Sequence, residues 1–280
     1  MSIVSGKRST KLAFLANSGI ALQYIIIALL ILLPVVWMVT SSFKPSAEVT
    51  RYPPQLFFEP IFDNYVRLFD TLPYALYTMN SVIVAGGSTI FGLLLAVPAA
   101  FAVSWYKSNW PASVSLIARM APGGLYLLPW YIIFNGMGLQ GSYVALILTH
   151  TVITMPITLW IMSSFFDGIP RDVLECGLVD GMNLMGVIRR IAIPLAAPGM
   201  VVSVILTFIL SWNYFLFALV LSDIGTTPLT VAAFRFVGEG VTDWGMLMAA
   251  ATVLALPPLV LAFLVQRWLV HGLTFGAVKG

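Results

Sequence analysis

Charged side chains are scarce in this sequence, where Asp, Glu, Lys and Arg together make up 9% of the 280 residues. A soluble domain carries about 25% charged residues. Apolar residues make up 60% of this chain. A chain with so little charge cannot cover a surface that faces water, so the composition predicts an integral membrane protein. The 13% of aromatic residues, including 8 Trp, suit the aromatic belts found at membrane interfaces.

Residues that carry enzymatic chemistry are also nearly missing. The only cysteine is Cys176, which excludes an internal disulfide and a multi-cysteine metal site. The only two histidines, His150 and His271, lie far apart in sequence. No pair of acids, Ser/His/Asp set or metal-spaced cluster occurs. The sequence therefore predicts a chain that is not an enzyme and that binds no metal or cofactor itself.

Long apolar runs dominate what is present. A spanning helix needs about 20 predominantly apolar residues, and six runs reach that length. The predicted all-α membrane domain covers 18–270, between terminal tails at 1–17 and 271–280. Its six spans are predicted at about 20–43, 77–105, 113–135, 143–166, 197–221 and 245–267. A signal peptide has an apolar region of only about 7–15 residues, so the first run is expected to be a span.

The basic residues predict which side of the membrane each loop faces. Six spans place both termini on one side, where nine basic residues fall, against four on the other side. The nine are Lys7, Arg8, Lys11, Lys107, Arg171, Arg189, Arg190, Arg267 and Lys279, and the four are Lys44, Arg51, Arg67 and Arg235. Because cytoplasmic loops carry the excess of Lys and Arg, both termini are expected in the cytoplasm.

Few ionisable groups lie within the predicted spans. Ion-coupled transport usually places acids or histidines there, and these spans contain essentially no acid. Arg119 either snorkels to the nearer interface or makes a buried contact with a partner. His150 is interpreted as a packed polar residue rather than a proton relay, because no acid lies within a helical turn of it. Energy for any transport is therefore expected to come from outside the chain.

One polar segment, 170–195, separates the fourth and fifth spans and lies on the predicted cytoplasmic side. Gly181 follows Asp180 and is expected to separate two short helices. The second helix, over 182–193, carries Arg189 near its end, where cations meet the negative pole of a helix. The pattern predicts a helix–glycine–helix unit that leaves the lipid and docks on another protein.

The spacing in this segment resembles the cytoplasmic signature loop of ABC importer permeases. That loop reads E-A-A, three residues, G, nine residues, then I-x-L-P. The matching residues here are Glu175, Gly181, Ile191 and Pro194, while Cys176 and Gly177 replace the two alanines and Ile193 replaces leucine. Further similarities to carbohydrate-type permeases of the maltose-system kind are S-F-K-P at 42–45, Asn80-Ser81, Arg119-Met120 with Pro122, Gly138-Leu139, Ile169-Pro170, Trp212-Asn213 and the ending GLTFGAVKG.

This resemblance implies the type I ABC importer permease fold, with six transmembrane helices and a cytoplasmic coupling helix. It implies a non-catalytic permease subunit of an ATP-driven, binding-protein-dependent importer of a sugar, glycoside or polyol in a bacterial inner membrane. The implied partners are a second, homologous permease, two cytoplasmic ATPase subunits that bind ATP and Mg, and a periplasmic solute-binding protein. An ion-coupled carrier or channel that acts without an ATPase stays the alternative.

The resemblance also implies functional residues. Those expected to couple to the ATPase are Glu175, Cys176, Gly177, Asp180, Gly181, Met182 and Arg189. Those expected along the substrate path are Trp212, Asn213, Tyr214, Asn80, Trp130 and Asn135, because sugars favour aromatic faces and amide hydrogen bonds. Helix packing or interfacial anchoring explains each of the latter equally well. The C-terminal GLTFGAVKG either contacts the ATPase or is a disordered tail.

Overall fold

The computed structural model describes residues 5–234, 236 and 243–277, and the side chains of 20–234, 236 and 243–264. Its helices, in chain order, are α1 (Ser5–Ser41), α2 (Ser46–Val49), α3 (Asp63–Thr71), α4 (Tyr74–Trp105), α5 (Trp110–Arg119), α6 (Gly124–Gly136), α7 (Tyr143–Asp167), α8 (Arg171–Val179), α9 (Leu184–Val187), α10 (Ile193–Leu195), α11 (Ala197–Trp212), α12 (Leu216–Leu221), α13 (Leu229–Phe234) and α14 (Trp244–Ala277). A π-helical turn, Ile188–Ala192, joins α9 to α10. Outside the described residues lie Arg235 and Lys279, and outside the described side chains lie Lys7, Arg8, Lys11, Arg267 and His271.

Four helices are long and apolar enough to cross a membrane: Ile20–Ser41 of α1, α4, α7 and Trp244–Leu264 of α14. Two bent pairs of helices also reach that length when each pair is taken together. One pair is α5 with α6, at 95°, and the other joins Leu184–Leu195 to α11, at 83°. By length and composition, the described chain therefore holds up to six spans.

Two of the predicted spans are interrupted in the structure. The third, at about 113–135, is divided into α5 and α6, which meet at 95°. Pro122 lies at this break, where it has no N–H to continue the helical ladder and disfavours helix at the residue before it. The fifth, at about 197–221, is one helix only as far as Trp212, after which α12 forms a separate helix.

The chain divides into two compact units, Met1–Thr71 with Val241–Thr252, and Leu72–Gly240 with Val253–Gly280. In the larger unit, α4 packs against α7 and α11. Ala96 and Ala100 of α4 are fully buried one turn apart, in a cluster with residues of α7 and of the π-helical turn. Small residues at this spacing let helix backbones approach closely within a membrane.

The smaller unit is organised around Lys44, whose side chain is 2% exposed. Its Nζ donates a hydrogen bond to the carbonyl oxygen of Gln55 at 2.7 Å. The same Nζ lies 4.9 Å from the ring centre of Trp37 and 4.5 Å from that of Phe58. Asn64 Nδ2 in turn donates to the Lys44 carbonyl at 2.8 Å. The buried ammonium is thus stabilised by a carbonyl dipole and two aromatic faces.

Asp243 caps the start of α14 by accepting a hydrogen bond from one of its free N–H groups. Its Oδ1 accepts a hydrogen bond from the Met246 N–H at 3.1 Å. The hydroxyl of Ser46 and the guanidinium of Arg67 also donate to this carboxylate. Partial burial raises the pKa of Asp243, but these three hydrogen bonds and the positive charge of Arg67 outweigh it. The pKa is therefore held below its ordinary value.

Candidate functional site

α8 ends in a Schellman turn built around Gly181. The Met182 N–H donates to the Gly177 carbonyl at 3.0 Å, and the Gly181 N–H donates to the Leu178 carbonyl at 3.0 Å. Asp180 is the capping residue, and Gly181 has φ +85°. This left-handed backbone conformation favours glycine because it has no Cβ. The prediction that Gly181 separates two short helices is confirmed.

The second helical piece begins with a cap that sequence reasoning missed. Asn183 Oδ1 accepts a hydrogen bond from the Gly186 N–H at 2.8 Å. The signal that could have identified this cap is an Asn three residues before the residue whose N–H it binds. Farther on, the Ile193 N–H bonds to the Ile188 carbonyl and widens the helix into the π-helical turn. This shift in register falls directly before Pro194, which has no N–H to offer the α-helical ladder.

Gly177 lies where α8 approaches the π-helical turn closely. A Cβ at this position would be 2.5 Å from Ile191 Cδ1 and 3.3 Å from Val187 Cγ2. The alanine that the signature loop carries here would therefore require the tip of Ile191 to move. Leu174 of α8 and Val187 of α9 are buried together with core residues of α4 and α7. One face of α8 is thus fixed to the helix bundle and the other is exposed.

The predicted coupling residues fall mostly on α8 and its C-terminal turn. Glu175, Cys176, Asp180 and Gly181 are exposed, Met182 is half-buried, Gly177 is buried, and Arg189 is exposed on the π-helical turn. Asp180 lies exposed in the turn itself, and Glu175 and Cys176 lie exposed earlier on α8. This exposed surface on a fixed helix is suited to docking against a separate protein.

Arg171 joins the exposed face of α8 to the end of α4. Its Nε donates to Glu175 Oε1 at 2.8 Å, and its guanidinium lies 4.9 Å from the ring centre of Trp105. Trp105 stacks on Phe101 at 5.7 Å, and Phe101 is buried in the core of the larger unit. A continuous chain of contacts therefore runs from the core of α4 to the carboxylate of Glu175.

Polar side chains form a buried seam between α4, α7 and α11. The Ser211 hydroxyl lies 2.8 Å from His150 Nδ1 and 2.8 Å from the Ser88 hydroxyl. Four residues earlier in α11, the Thr207 hydroxyl lies 2.7 Å from the Thr158 hydroxyl of α7. Interhelical hydrogen bonds of this kind stabilise membrane proteins by about 0.6 kcal/mol on average. His150 is thus a packed polar residue, as predicted.

Arg119 contacts a helix of its own chain. Its Nε donates to the Ile153 carbonyl of α7 at 2.9 Å, and the side chain is half-buried. Pro156 lies within α7, where it offers no N–H to the Val152 carbonyl. Arg119 therefore binds the backbone beside a proline-disrupted turn of its own chain, a contact that neither predicted alternative, snorkelling or a partner contact, included.

Asn80, a predicted substrate-path residue, is fully engaged in hydrogen bonds. Its Nδ2 donates to the carbonyls of Gly225 at 3.0 Å and Thr227 at 2.9 Å. Its Oδ1 accepts from the Tyr143 hydroxyl at 2.6 Å. The amide thus ties α4 to the loop before α13 and to the start of α7.

Two further candidates of this group sit at the end of α11. Trp212 is 2% exposed and its Nε1 donates to the Leu254 carbonyl of α14 at 3.0 Å. Asn213 is exposed, and its Nδ2 donates to the Ile209 carbonyl at 2.8 Å. Both side chains are therefore held by the helices around them.

Tyr214 and Trp130 belong to one aromatic cluster, and Asn135 lies exposed near the end of α6. The Tyr214 ring is 5.4 Å from that of His150, edge to face. Trp130 stacks on Phe134 at 5.3 Å. Within the described ranges, no three His, Cys, Asp or Glu side chains group together as metal ligands would. The arrangement offers aromatic faces to a ligand.

Comparison with known proteins places these features in context. Residues 57–275 match the family model described as "binding-protein-dependent transport system inner membrane component". The chain is 33% identical over 273 residues to the sulfoquinovosyl glycerol transport system permease protein SmoH of Agrobacterium fabrum, covering 94% of this chain and 95% of that one. It is 31% identical over 264 residues to the trehalose/maltose transport system permease protein MalG of Thermococcus litoralis, covering 91% and 94%.

A solved structure has a similar fold. It is a chain from the crystal structure of a bacterial ABC transporter involved in the import of the acidic polysaccharide alginate. The TM-score is 0.76 at 19% sequence identity, and the alignment covers 95% of this chain and 99% of that chain. The helices of this chain are thus arranged in the same fold as that transporter chain.

Proposed function

Because the chain belongs to the binding-protein-dependent transport system inner membrane components, we propose that it couples to an ATPase subunit through the turn between α8 and α9. The observation that carries this proposal is the Schellman turn at Gly181, where Asp180 is exposed, together with the exposed Glu175 on α8. α8 is bound to α4 through Arg171 and Trp105. Movement of a docked ATPase would therefore be passed to the spans.

The proposed complex contains several chains. A permease of such a system works with a solute-binding protein and with ATPase subunits, and we assign ATP and Mg to those ATPases. The second permease is proposed to be a related but different chain. α1 supports such an assembly, since none of its most apolar stretch is buried within this chain, compared with 56% of that in α7. Both termini and the turn at Gly181 are assigned to the cytoplasm.

The proposed solute is a sugar, glycoside or polyol. Two relatives are named for sulfoquinovosyl glycerol and for trehalose and maltose. Tyr214 and Trp130, with Asn213 and Asn135, are the residues best placed to offer aromatic faces and amide groups to such a solute. Asn80 and Trp212 stay in the proposed path as residues that shape it, because both are buried and their polar groups already bind backbone carbonyls.

The coupling proposal is tested with Glu175→Lys and Gly181→Asp in the whole importer. Both variants are expected to abolish solute uptake and to uncouple ATPase activity from the binding protein. Glu175→Lys reverses the charge of the docking face. Gly181→Asp puts a side chain and a further negative charge on the docking surface, at a positive φ that Asp tolerates better than most residues do. Uptake in cells and ATPase activity stimulated by binding protein are the measurements.

Two matched controls accompany these variants. Gly181→Asn adds a side chain of the same size without the charge, because Asn tolerates positive φ and nothing lies within 4 Å of a Cβ at this position. Glu59→Lys reverses an equally exposed carboxylate in the loop before α3. Both controls are expected to retain uptake. Normal uptake in Glu175→Lys and Gly181→Asp would refute the coupling surface.

A further inference from the structure

An apolar groove of about 370 Å³ lies between α4 and the helical turns that precede α11. Residues from Ile90 to Pro98 of α4 form one wall, and Met185 and Met200 lie on the other. Of the described residues that line this groove, Arg189 is the one with a charge. An apolar groove with a single cation is an unusual surface for a segment that lies between two membrane spans.

The groove opens toward the outside of the helix bundle. Ile90 is 63% exposed and Leu94 is 67% exposed, although both lie well within the apolar span of α4. The wall from Ile90 to Pro98 extends about 12 Å along the helix, at 1.5 Å per residue. This length approaches the apolar thickness of one leaflet, which is about half of 30 Å. The dimensions suit an extended acyl chain.

The cation determines which molecule fits. Arg189 is exposed, and no carboxylate in the described part of the chain pairs with it. A guanidinium binds a phosphate through two parallel hydrogen bonds. Basic pockets between transmembrane helices on the cytoplasmic side bind anionic lipid headgroups. A purely apolar helix of another subunit would cover the groove but would leave the positive charge without an anion.

We propose that this groove binds an anionic phospholipid of the cytoplasmic leaflet. The lipid phosphate lies at Arg189, and one acyl chain lies along α4 between Ile90 and Pro98. This proposal rests on the orientation assigned under the proposed function, which puts Arg189 at the cytoplasmic face. It assigns Arg189 to the membrane rather than to the ATPase.

The headgroup is tested with Arg189→Gln in the whole importer. Complexes are placed in nanodiscs of phosphatidylcholine with a minor fraction of phosphatidylglycerol, and the phosphatidylglycerol bound per complex is measured by mass spectrometry. Arg189→Gln is expected to weaken its binding about tenfold, because it removes a charge-assisted hydrogen bond to the phosphate that Arg190 does not make. Arg189→Lys is expected to retain most of the binding. Arg190→Gln is the matched control, because its side chain does not line the groove, and is expected to bind as the unmodified chain does.

The acyl chain is tested with Leu94→Trp, which fills the groove and keeps Arg189. It is expected to reduce bound phosphatidylglycerol as strongly as Arg189→Gln does. Leu95→Trp, at the neighbouring exposed position outside the groove, is expected to have no effect. Lipid binding that survives Leu94→Trp, or that excess inorganic phosphate abolishes, would reduce the site to a simple anion contact and would overturn the proposal.

ATPase activity in the same samples separates this proposal from the coupling surface. If the Arg189→Gln importer loses bound lipid and its ATPase activity stays coupled, the lipid site is supported. If this importer keeps bound lipid and its ATPase activity is uncoupled, Arg189 belongs to the ATPase contact and the lipid proposal is overturned. A photo-crosslinker at Leu94 that captures the second permease in place of lipid also overturns it. Failure of the coupling surface alone would appear as normal uptake in Glu175→Lys with the lipid result unchanged.

Discussion

Asp243 shows how a single carboxylate can secure the start of a span. It receives hydrogen bonds from the Met246 N–H, the Ser46 hydroxyl and the Arg67 guanidinium. These bonds stabilise the ionised form and hold its pKa below the ordinary value, although partial burial acts in the opposite direction. Because the folded pKa is lowered, the carboxylate stabilises the fold at pH values above its unfolded pKa of about 3.9. That stabilisation is lost as the pH falls through the folded pKa.

Asp243→Asn is therefore expected to change the dependence of stability on pH. Asn still caps the helix, so the loss at neutral pH should stay below about 1 kcal/mol, as is usual for partly exposed ion pairs. Thermal unfolding of the purified importer should shift less on acidification below about pH 4 in the variant than in the unmodified chain. Asp63→Asn, which removes an exposed carboxylate 3.7 Å from Arg67, is the control. Identical pH profiles for Asp243→Asn and the unmodified chain would contradict this account.

At the scale of elements, Arg171 is the link between α4 and α8. Its guanidinium lies over the ring of Trp105 and bonds to Glu175. As an exposed pair four residues apart, Arg171 and Glu175 contribute only a few tenths of a kcal/mol to the helix itself. The ring contact matters more, because it fixes the direction of Arg171 and so holds the carboxylate in one place. Arg171 is in this sense a positioning residue.

Trp105→Leu is expected to weaken coupling without unfolding the protein. The change removes the aromatic face and keeps an apolar side chain, so more ATP should be hydrolysed per solute imported. Arg171→Gln should act in the same direction, while the exchange Arg171→Glu with Glu175→Arg should restore the pair but not the docking charge. Trp110→Leu, at an exposed aromatic in the first turn of α5, is the matched control. An unchanged ratio of ATP hydrolysed to solute imported in Trp105→Leu would refute the link.

The sequence predicted the spans and the turn at Gly181 because both depend on local features. Apolar runs of span length are read directly from the chain, and glycine after a polar residue marks a turn. The break between α5 and α6 was not predicted, although Pro122 indicated it, because membrane helices often tolerate proline. Whether a proline bends a helix or ends it depends on tertiary contacts nearby, such as the hydrogen bond from Arg119 to α7.

Side-chain roles were harder to predict than elements. Asn80 was interpreted as a residue of the substrate path, and its amide proves to bind the loop before α13. Ser211 joins His150 and Ser88 across three helices. The two residues in each of these contacts lie more than 60 residues apart in sequence. Spacing within a helix carries no information about such contacts, which arise only when the helices pack.

At the scale of the whole molecule, two of the candidate spans leave most of their apolar surface exposed within this chain. The most apolar stretch of α1 has no buried residue within this chain, and only 11% of that of α14 is buried. We expect transport by this chain to require the other proposed subunits, which would cover these exposed spans.

Purified alone and placed in liposomes, the chain is expected to transport no solute. The full importer in the same liposomes should take up solute only with binding protein and ATP, and should stop when ATP is replaced by a non-hydrolysable analogue. Radiolabelled uptake of candidate sugars measures both. An imposed proton or sodium gradient that drives uptake by the isolated chain would favour an ion-coupled carrier and would contradict this expectation.

Cys176 is the single cysteine of the sequence, and it lies exposed on α8 beside Glu175. Thiol-reactive probes will therefore attach to this chain at one site without any residue being removed first. A spin label there reports its distance to a second label on the ATPase, state by state through the nucleotide cycle. The unmodified chain thus comes with its own spectroscopic reporter for the movement of α8.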